Sequence, residues 1–319
     1  MEEIQVKPKE TTKSTFKRLE GIILRVTAIG FFAITQIATK NLYLTSPISA
    51  LELIYFRGVI MVMLNLIYSK WFSVDLLNIP KEQFKPIVYR SATGTVANML
   101  FFTSTKLFPL SLVSAMSYLS PVMTAGMAFI FLNEALTRYD VLSMFTGFGG
   151  VMVIIFNPYK GSDISNIYDI RWWYYFCPIL SPLFVSIGTL LMRYMGKSIH
   201  CIISPTYLGV FIASFTPIFT FGVLSFRDFA VHYNAYVIIH ILIIGGLATV
   251  GQTLTSRALQ LEKAGRVQAF NYLMVVIMLA ADTFIFEIPI HWLDILGIII
   301  ILSSNISVAL LKAFGIISS

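Results

Sequence analysis

The sequence predicts an all-α integral membrane protein of about ten transmembrane helices, arranged as two inverted five-helix repeats. Composition, recurring apolar segments and an internal repeat support this fold class. Of the 319 residues, 57% are hydrophobic and 12% are charged, against roughly 45–50% and 25% in soluble domains. Such a chain has too little polar surface to fold as a water-soluble globule.

Apolar segments long enough to cross a bilayer recur along almost the whole chain. A spanning helix needs about 20 mostly apolar residues. The connections between the segments are short, so no separate soluble domain is expected. The predicted spans are 21–40, 48–69, 87–106, 110–132, 139–157, 173–193, 204–225, 236–256, 267–286 and 294–312.

The spans divide the chain into two halves with polar flanks. We expect a cytosolic polar tail over 1–19, a first half over 20–157, a non-cytosolic linker over 158–172, a second half over 173–312 and a cytosolic end over 313–319. The apolar run after the tail is longer than a signal-peptide core and has no obvious cleavage site, so it is predicted to remain as the first span.

The distribution of basic residues predicts the orientation. Most of the 23 Lys and Arg residues fall in the tail, in the even-numbered loops and at the C-terminal end. Because cytoplasmic loops carry the excess of Lys and Arg, both termini are predicted to be cytosolic. The same placement explains the net charge of +7 without nucleic acid as a partner.

The two halves resemble each other in sequence. A shift of 154 residues aligns 95–142 with 249–296 without a gap. Because each half has five spans, the second must insert the other way up. Inverted repeats recur in secondary transporters, where the solute site lies near the midplane. The strongest stretch pairs Val113, Ala115, Tyr118, Leu119 and Val122 with Val267, Ala269, Tyr272, Leu273 and Val276.

Three stretches carry a family resemblance. They are LELIYFRG at 51–58, SYLSPVMTAGMAFIFLNEAL at 117–136 and the Gly-rich fifth span that contains Gly147, Gly149 and Gly150. With the repeat, they resemble the drug/metabolite transporter superfamily, EamA-type, and within it the eukaryotic solute carrier 35 group and its G-type branch. The resemblance implies ten helices, cytosolic termini, alternating access and a central cavity.

The resemblance also implies roles for particular positions. Glu52 and Arg57 match the acidic and basic positions of the second span, while Pro121 and Glu134 match the pattern of the fourth. The second half departs from this pattern. There, Val275 replaces the proline, Glu287 is one residue out of register and Pro289 follows it.

Charges inside spans are the first candidate site residues, because each costs about 2.5–3.5 kcal/mol at a helix centre and tends to face a cavity. Glu52 and Arg57 lie roughly 140° apart on one helix, so each needs another partner or a solute. Glu52 alternatively reaches the interface. Asp282 is a candidate for ion coupling, or for a salt bridge to Arg57.

Uncharged residues at equivalent repeat positions complete the candidate cavity lining. Asn98 corresponds to Gln252, and Tyr118 corresponds to Tyr272. Ordinary helix packing is the alternative for all four. Arg25 and Arg90 lie near predicted span ends, where long basic side chains snorkel to the interface.

No other chemistry is indicated. The sequence has no recognisable catalytic arrangement, no metal-ligand spacing among its four His residues and no phosphate-binding Gly-rich loop. We therefore predict no enzyme activity, catalytic residue, metal or cofactor. The expected partners are a small-molecule solute and the lipid bilayer, and a homodimer stays open.

The predicted function is a secondary transporter or exchanger of a small polar metabolite. Arginine inside the core favours an organic anion or a nucleotide-sugar-like solute. A non-transporting membrane scaffold or regulator is the alternative, although the loops are short for partner binding. An integral membrane enzyme acting on lipids is a third hypothesis, which should show paired catalytic groups at one interface.

Overall fold

The computed structural model describes residues 12–107, 117, 119–133, 137–155, 176–223, 233–285 and 291–313. All regular secondary structure in these ranges is helical, which confirms the all-α prediction. Each predicted span overlaps at least one helix.

Within the described residues, the first half contributes five α-helices and the second half six. The first five are α1 (Thr12–Thr45), α2 (Ala50–Phe72), α3 (Lys81–Leu107), α4 (Leu119–Leu132) and α5 (Arg138–Ile155). The others are α6 (Phe176–Met195), α7 (Ile203–Val223), α8 (Ala235–Leu261), α9 (Ala264–Ala269), α10 (Tyr272–Phe284) and α11 (Trp292–Ala313), with a short 3-10 helix at Gly196–Ser198.

Length and surface identify an integral membrane protein. Four described segments are long and apolar enough to cross a membrane: Leu19–Thr45, Ala50–Phe72, Ala235–Leu261 and Ala264–Ala281. Large apolar side chains such as those of Ile130, Phe131 and Leu142 are exposed on the outside of the bundle. In water such extended apolar surface would be unstable, so these faces contact lipid.

Several hydroxyl groups inside the spans are satisfied within their own helices. The side chains of Thr35, Thr39, Thr95 and Thr249 each donate a hydrogen bond to the carbonyl four residues earlier, at 2.7–2.9 Å. Ser and Thr adopt this local bond readily in helices. These residues therefore place small polar surfaces in the bundle without leaving unpaired donors in an apolar environment.

Helices of one half pack mainly against helices of the other half. The main contacts are α1 with α8, α3 with α6, α5 with α11, and α2 with α7 and α8; α3 also contacts α7, α4 contacts α6 and α9, and α1 contacts α10. Glycine permits a close approach between α2 and α7. A Cβ added at Gly58 would lie 2.7 Å from Cγ2 of Ile212, so the two backbones come close together.

The predicted ninth span, 267–286, is broken into α9 and α10. At the break, the N–H groups of Asn271, Leu273 and Met274 donate to carbonyls three residues earlier, at 2.9–3.0 Å. Bonds of this spacing are typical of a tight 3-10 turn. The break turns the side chain of Asn271 toward the centre of the bundle.

One end of the bundle is sealed where α8 meets α9; we call it the closed end. Its apolar cluster includes Met195, Ile202, Leu259 and Val267. Next to it, Arg266 donates to Glu262 at 3.0 Å, and these side chains are only 1% and 2% exposed. Arg266 lies before the predicted ninth span, but helix α9 buries it beside its acidic partner.

Candidate functional site

A cavity of about 860 Å³ lies in the centre of the bundle. Ligand pockets commonly have volumes of 300–1,000 Å³. The wall of the cavity is formed by α1, α2, α3, α4, α6, α7, α8 and the region of the α9–α10 break. The cavity extends from the α1–α2 connection at Ser46 and Pro47 to Met192 and Gln268 beside the closed end.

The cavity is strongly basic. Arg25 of α1, Arg57 of α2 and Arg90 of α3 line it and are only 5%, 6% and 6% exposed. Lys40 lines its outer part. Among the described lining residues there is no Asp or Glu. Buried charge without an opposite charge is costly, so the wall favours an anionic occupant.

Neutral acceptors hold Arg25. Its Nη1 donates to Oγ1 of Thr255 at 2.6 Å, and its Nη2 donates to Oδ1 of Asn271. The network continues from Nδ2 of Asn271 to Gln268, whose Nε2 donates to Oγ1 of Thr189 at 2.6 Å. Four neutral residues of the second half thus form a hydrogen-bond network that orients Arg25 of the first half without neutralising its charge.

Arg57 is held within the first half. Its Nη1 donates to Oδ1 of Asn98 at 2.8 Å, and its guanidinium lies 5.3 Å from the ring centroid of Phe102. This distance is within the range of a cation–π contact. No described carboxylate pairs with Arg57. The side chain of Asp282 lies outside the described residues, so the Arg57–Asp282 salt bridge stays a prediction.

Arg90 is packed between two helices. A Cβ added at Gly94 of α3 would lie 2.2 Å from Nη1 of Arg90, and one at Gly188 of α6 would lie 3.3 Å from the same atom. The two glycines therefore leave the space that the guanidinium fills. Its long side chain turns toward the cavity along α3.

The other residues predicted from the sequence fall in different places. Asn98 and Gln252 line the cavity together with Arg57. Glu52 does not line it. Instead, it is fully buried at the first turn of α2, where its carboxylate accepts from the N–H of Ser49 at 3.4 Å.

Tyr272 also lies away from the cavity. It is fully buried, and its ring occupies the space beside Gly147 of α5, where a Cβ would approach Cδ2 to 2.5 Å. Tyr118 and the side chain of Asp282 lie outside the described residues. The roles assigned to these positions stay predictions.

Arg25 and Arg90 were not predicted in the cavity. The snorkelling prediction is wrong for both, because each guanidinium faces the interior. Helix α1 starts at Thr12, well before the predicted span, so Arg25 is several turns from its end. Thr255, Gln268 and Asn271 also went unrecognised. The sequence signal that could have indicated a basic cavity was the presence of three arginines in the spans of one half.

The comparisons with known proteins identify the family. The chain matches the EamA-like transporter family over residues 19–156 and again over 172–310. The chain belongs to this family. EamA-like proteins are membrane transporters, so the cavity at the centre of the bundle is the candidate site for a small solute.

Named relatives agree with the EamA-like assignment. The chain is 26% identical to solute carrier family 35 member G1 of Homo sapiens, across 92% of this chain and 79% of that protein. It is 25% identical to an uncharacterized transporter of Helicobacter pylori, across 82% and 86%. A solved crystal structure of a protein matches with a TM-score of 0.70 at 15% identity, covering 97% and 100% of the chains; this likeness concerns the fold alone.

Proposed function

We propose that this protein is a secondary transporter or exchanger of small organic anions that works by alternating access. The observation that carries the proposal is the central cavity, which three buried arginines line without a described acidic residue. A guanidinium matches carboxylate and phosphate groups in shape and charge. Since a neutral solute would leave these charges uncompensated, an anion is the solute that the cavity favours.

The proposed mechanism uses two inverted five-helix halves, over 20–157 and 173–312, with both termini in the cytosol. The pattern of helix contacts supports it. Exchanging the halves converts the α1–α8 contact into α6–α3 and the α2–α8 contact into α7–α3, and both pairs occur. The α2–α7 and α5–α11 contacts map onto themselves. The double match to the family supports the same repeat.

Alternating access requires that the cavity open to one side at a time. The cavity reaches the α1–α2 connection, whereas the apolar cluster and the Glu262–Arg266 pair seal the closed end. With the termini in the cytosol, this arrangement corresponds to an outward-facing state. Rocking of one half against the other around the arginines would open the closed end.

Flux measurements test the proposal. Purified protein in proteoliposomes is offered radiolabelled solutes of similar size that are anionic, neutral or cationic, including carboxylates, phosphate esters and a nucleotide sugar. We expect saturable uptake of at least one anion, competed by other anions, and no uptake by protein-free liposomes. Uptake of neutral or cationic solutes that anions do not compete would contradict the anionic substrate. Absence of any flux, with a stable co-purifying partner, would support the scaffold alternative.

A further inference from the structure

Arg90 differs from the other two cavity arginines in its hydrogen bonding. Arg25 donates to Thr255 and Asn271, and Arg57 donates to Asn98. Among the described residues, none accepts a hydrogen bond from the side chain of Arg90, although the residue is only 6% exposed. A buried guanidinium is normally satisfied. The Nε atom of Arg90 is fully buried, so its terminal Nη donors are the ones available to a molecule in the cavity.

The position of the Arg90 guanidinium is fixed by shape instead of by hydrogen bonds. Gly94 and Gly188 lie against it on two different helices, and its Nη1 is the atom nearest to both added Cβ positions. Both Arg90 and Gly94 line the cavity. Side chains at these two glycine positions would crowd the guanidinium, so the two helices together form a slot that holds it.

Arg57 approaches the same wall from α2. Asn98 accepts from Arg57 at 2.8 Å and donates to the carbonyl of Gly94 at 2.7 Å. Gly94 and Asn98 are one helical turn apart, about 6 Å along α3. The two guanidinium groups therefore lie against positions one turn apart on α3, and both arginines line the cavity. An oxyanion next to Arg90 would also feel the charge of Arg57.

We propose that Arg90 is the anchor for the ionised group of the substrate, a carboxylate or a phosphate, with Arg57 as the second cation. The inference rests on the proposed function and names the residue that recognises the anion. Arg25 is already bonded to two neutral acceptors. It therefore adds positive electrostatic potential to the cavity but does not make the primary contact with the anion. The body of the substrate faces hydroxyl and amide groups such as those of Ser120, Ser181 and Gln252.

Three matched probes separate the two anionic groups from the body that carries them. Glycerate, glycerol 3-phosphate and glycerol share a three-carbon polyol body and differ in having a carboxylate, a phosphate or no charge. Each is titrated into purified protein in detergent, with chloride salts matching the ionic strength, and thermal unfolding is followed. Ligand binding raises the unfolding temperature with the logarithm of concentration over Kd. We expect a saturable rise with at least one anion and none with glycerol.

The variants then assign that response to Arg90. We expect Arg90→Gln to weaken binding of the responding anion about 10- to 100-fold, the range for losing a hydrogen bond to a charged group. Arg90→Lys should weaken it less, because the charge remains but the planar fork is lost. Lys85→Gln is the matched control, since Lys85 is exposed on the same helix; it should bind as the wild type does.

A second variant moves Arg90 without removing it. Gly94→Ala would place a methyl group on the guanidinium, so we expect weaker binding although the charge is unchanged. Gly246→Ala is the control, because nothing lies within 4 Å of its added Cβ. This pair of variants keeps the anchor testable if Arg90→Gln fails to fold. Size-exclusion chromatography and the unfolding temperature without ligand would reveal such a failure.

The outcomes separate this inference from the proposed function. Equal anion affinity in wild type, Arg90→Gln and Gly94→Ala overturns the anchor, and it leaves transport standing if the wild type takes up anions in proteoliposomes. A wild type that responds to neither anionic probe overturns the assignment of the ionised group. Binding that depends on Arg90 without flux in proteoliposomes supports the anchor and refutes transport.

Discussion

Four of the described arginines are buried in this bundle, and their surroundings differ between the two halves. Arg266, in the second half, lies beside Glu262 one turn away in the sequence. Arg25, Arg57 and Arg90, in the first half, have no described acidic partner, and all three line the cavity. An architecture of two similar halves thus carries an unequal distribution of charge.

The difference separates a structural cation from cations kept for a ligand. A paired buried charge is stable only while both partners remain, and removing one is strongly destabilising. An arginine with neutral partners keeps its charge available but lowers the stability of the empty protein. We therefore expect substitutions at Glu262 to affect stability first, and substitutions at the cavity arginines to affect affinity first.

The largest expected effect is the loss of stability in Glu262→Gln. Removing the carboxylate takes an ion-pair partner from the buried Arg266, and breaking a buried ion pair costs about 3–5 kcal/mol. Chemical unfolding in detergent, followed by tryptophan fluorescence, measures the change. The double variant Glu262→Leu with Arg266→Met should recover most of the loss, because an apolar pair replaces the ion pair. A single variant as stable as the wild type would show that the pair does not seal the closed end.

Arg57→Gln should show the opposite pattern. We expect uptake of the transported anion to fall about 10- to 100-fold, while the free energy of unfolding does not decrease, because an unpaired buried charge has been removed. Uptake kinetics in proteoliposomes and chemical unfolding provide the two readouts. Lys70→Gln, an exposed charge on the same helix, is the control for uptake. Loss of stability without loss of uptake would place Arg57 with Arg266 as a structural cation.

The sequence predicted the helices better than the direction of their side chains. Bilayer thickness sets the length of an apolar segment, and each predicted span overlaps a helix. The break between α9 and α10 went unrecognised because the stretch Ala269, Phe270, Asn271, Tyr272 contains no Pro or Gly. The break turns Asn271 into the cavity, and successive residues lie about 100° apart on a helix, so Tyr272 points elsewhere.

Some of the residues that line the cavity could be predicted from the sequence. Arg57, Asn98 and Gln252 were chosen as polar groups at mid-span and at equivalent repeat positions, and they line the cavity. Arg25 and Arg90 were misinterpreted because hydropathy underestimates helix length at polar ends: α1 begins at Thr12 and α3 at Lys81. The neutral partners of Arg25 depend on contacts between distant helices, which one sequence without homologues does not reveal.

Asn271→Asp would give the cavity residue Arg25 an acidic partner, as Arg266 has in Glu262. The two side chains have nearly the same shape, but the carboxylate would pair with Arg25, whose Nη2 already reaches Oδ1 of Asn271. We expect anion affinity to fall about 10-fold and the unfolding temperature to rise. Asn271→Ala is the matched variant: it removes one neutral acceptor and should weaken binding less. Equal affinity in wild type and Asn271→Asp would mean that the charge of Arg25 does not act on the substrate.

The smallest expected effect concerns Glu52, a buried acid of the first half. Its carboxylate accepts from the N–H of Ser49 and does not line the cavity, so it does not compensate the arginines. Glu52→Gln keeps an acceptor at the start of α2, and we expect a loss of about 0.5–1 kcal/mol in the free energy of unfolding with unchanged anion affinity. Chemical unfolding and uptake kinetics measure both. A clear change in anion affinity would instead give Glu52 the role in the site that the sequence suggested. An acid of the first half would then act on the cavity arginines, and the contrast between the two halves would be smaller.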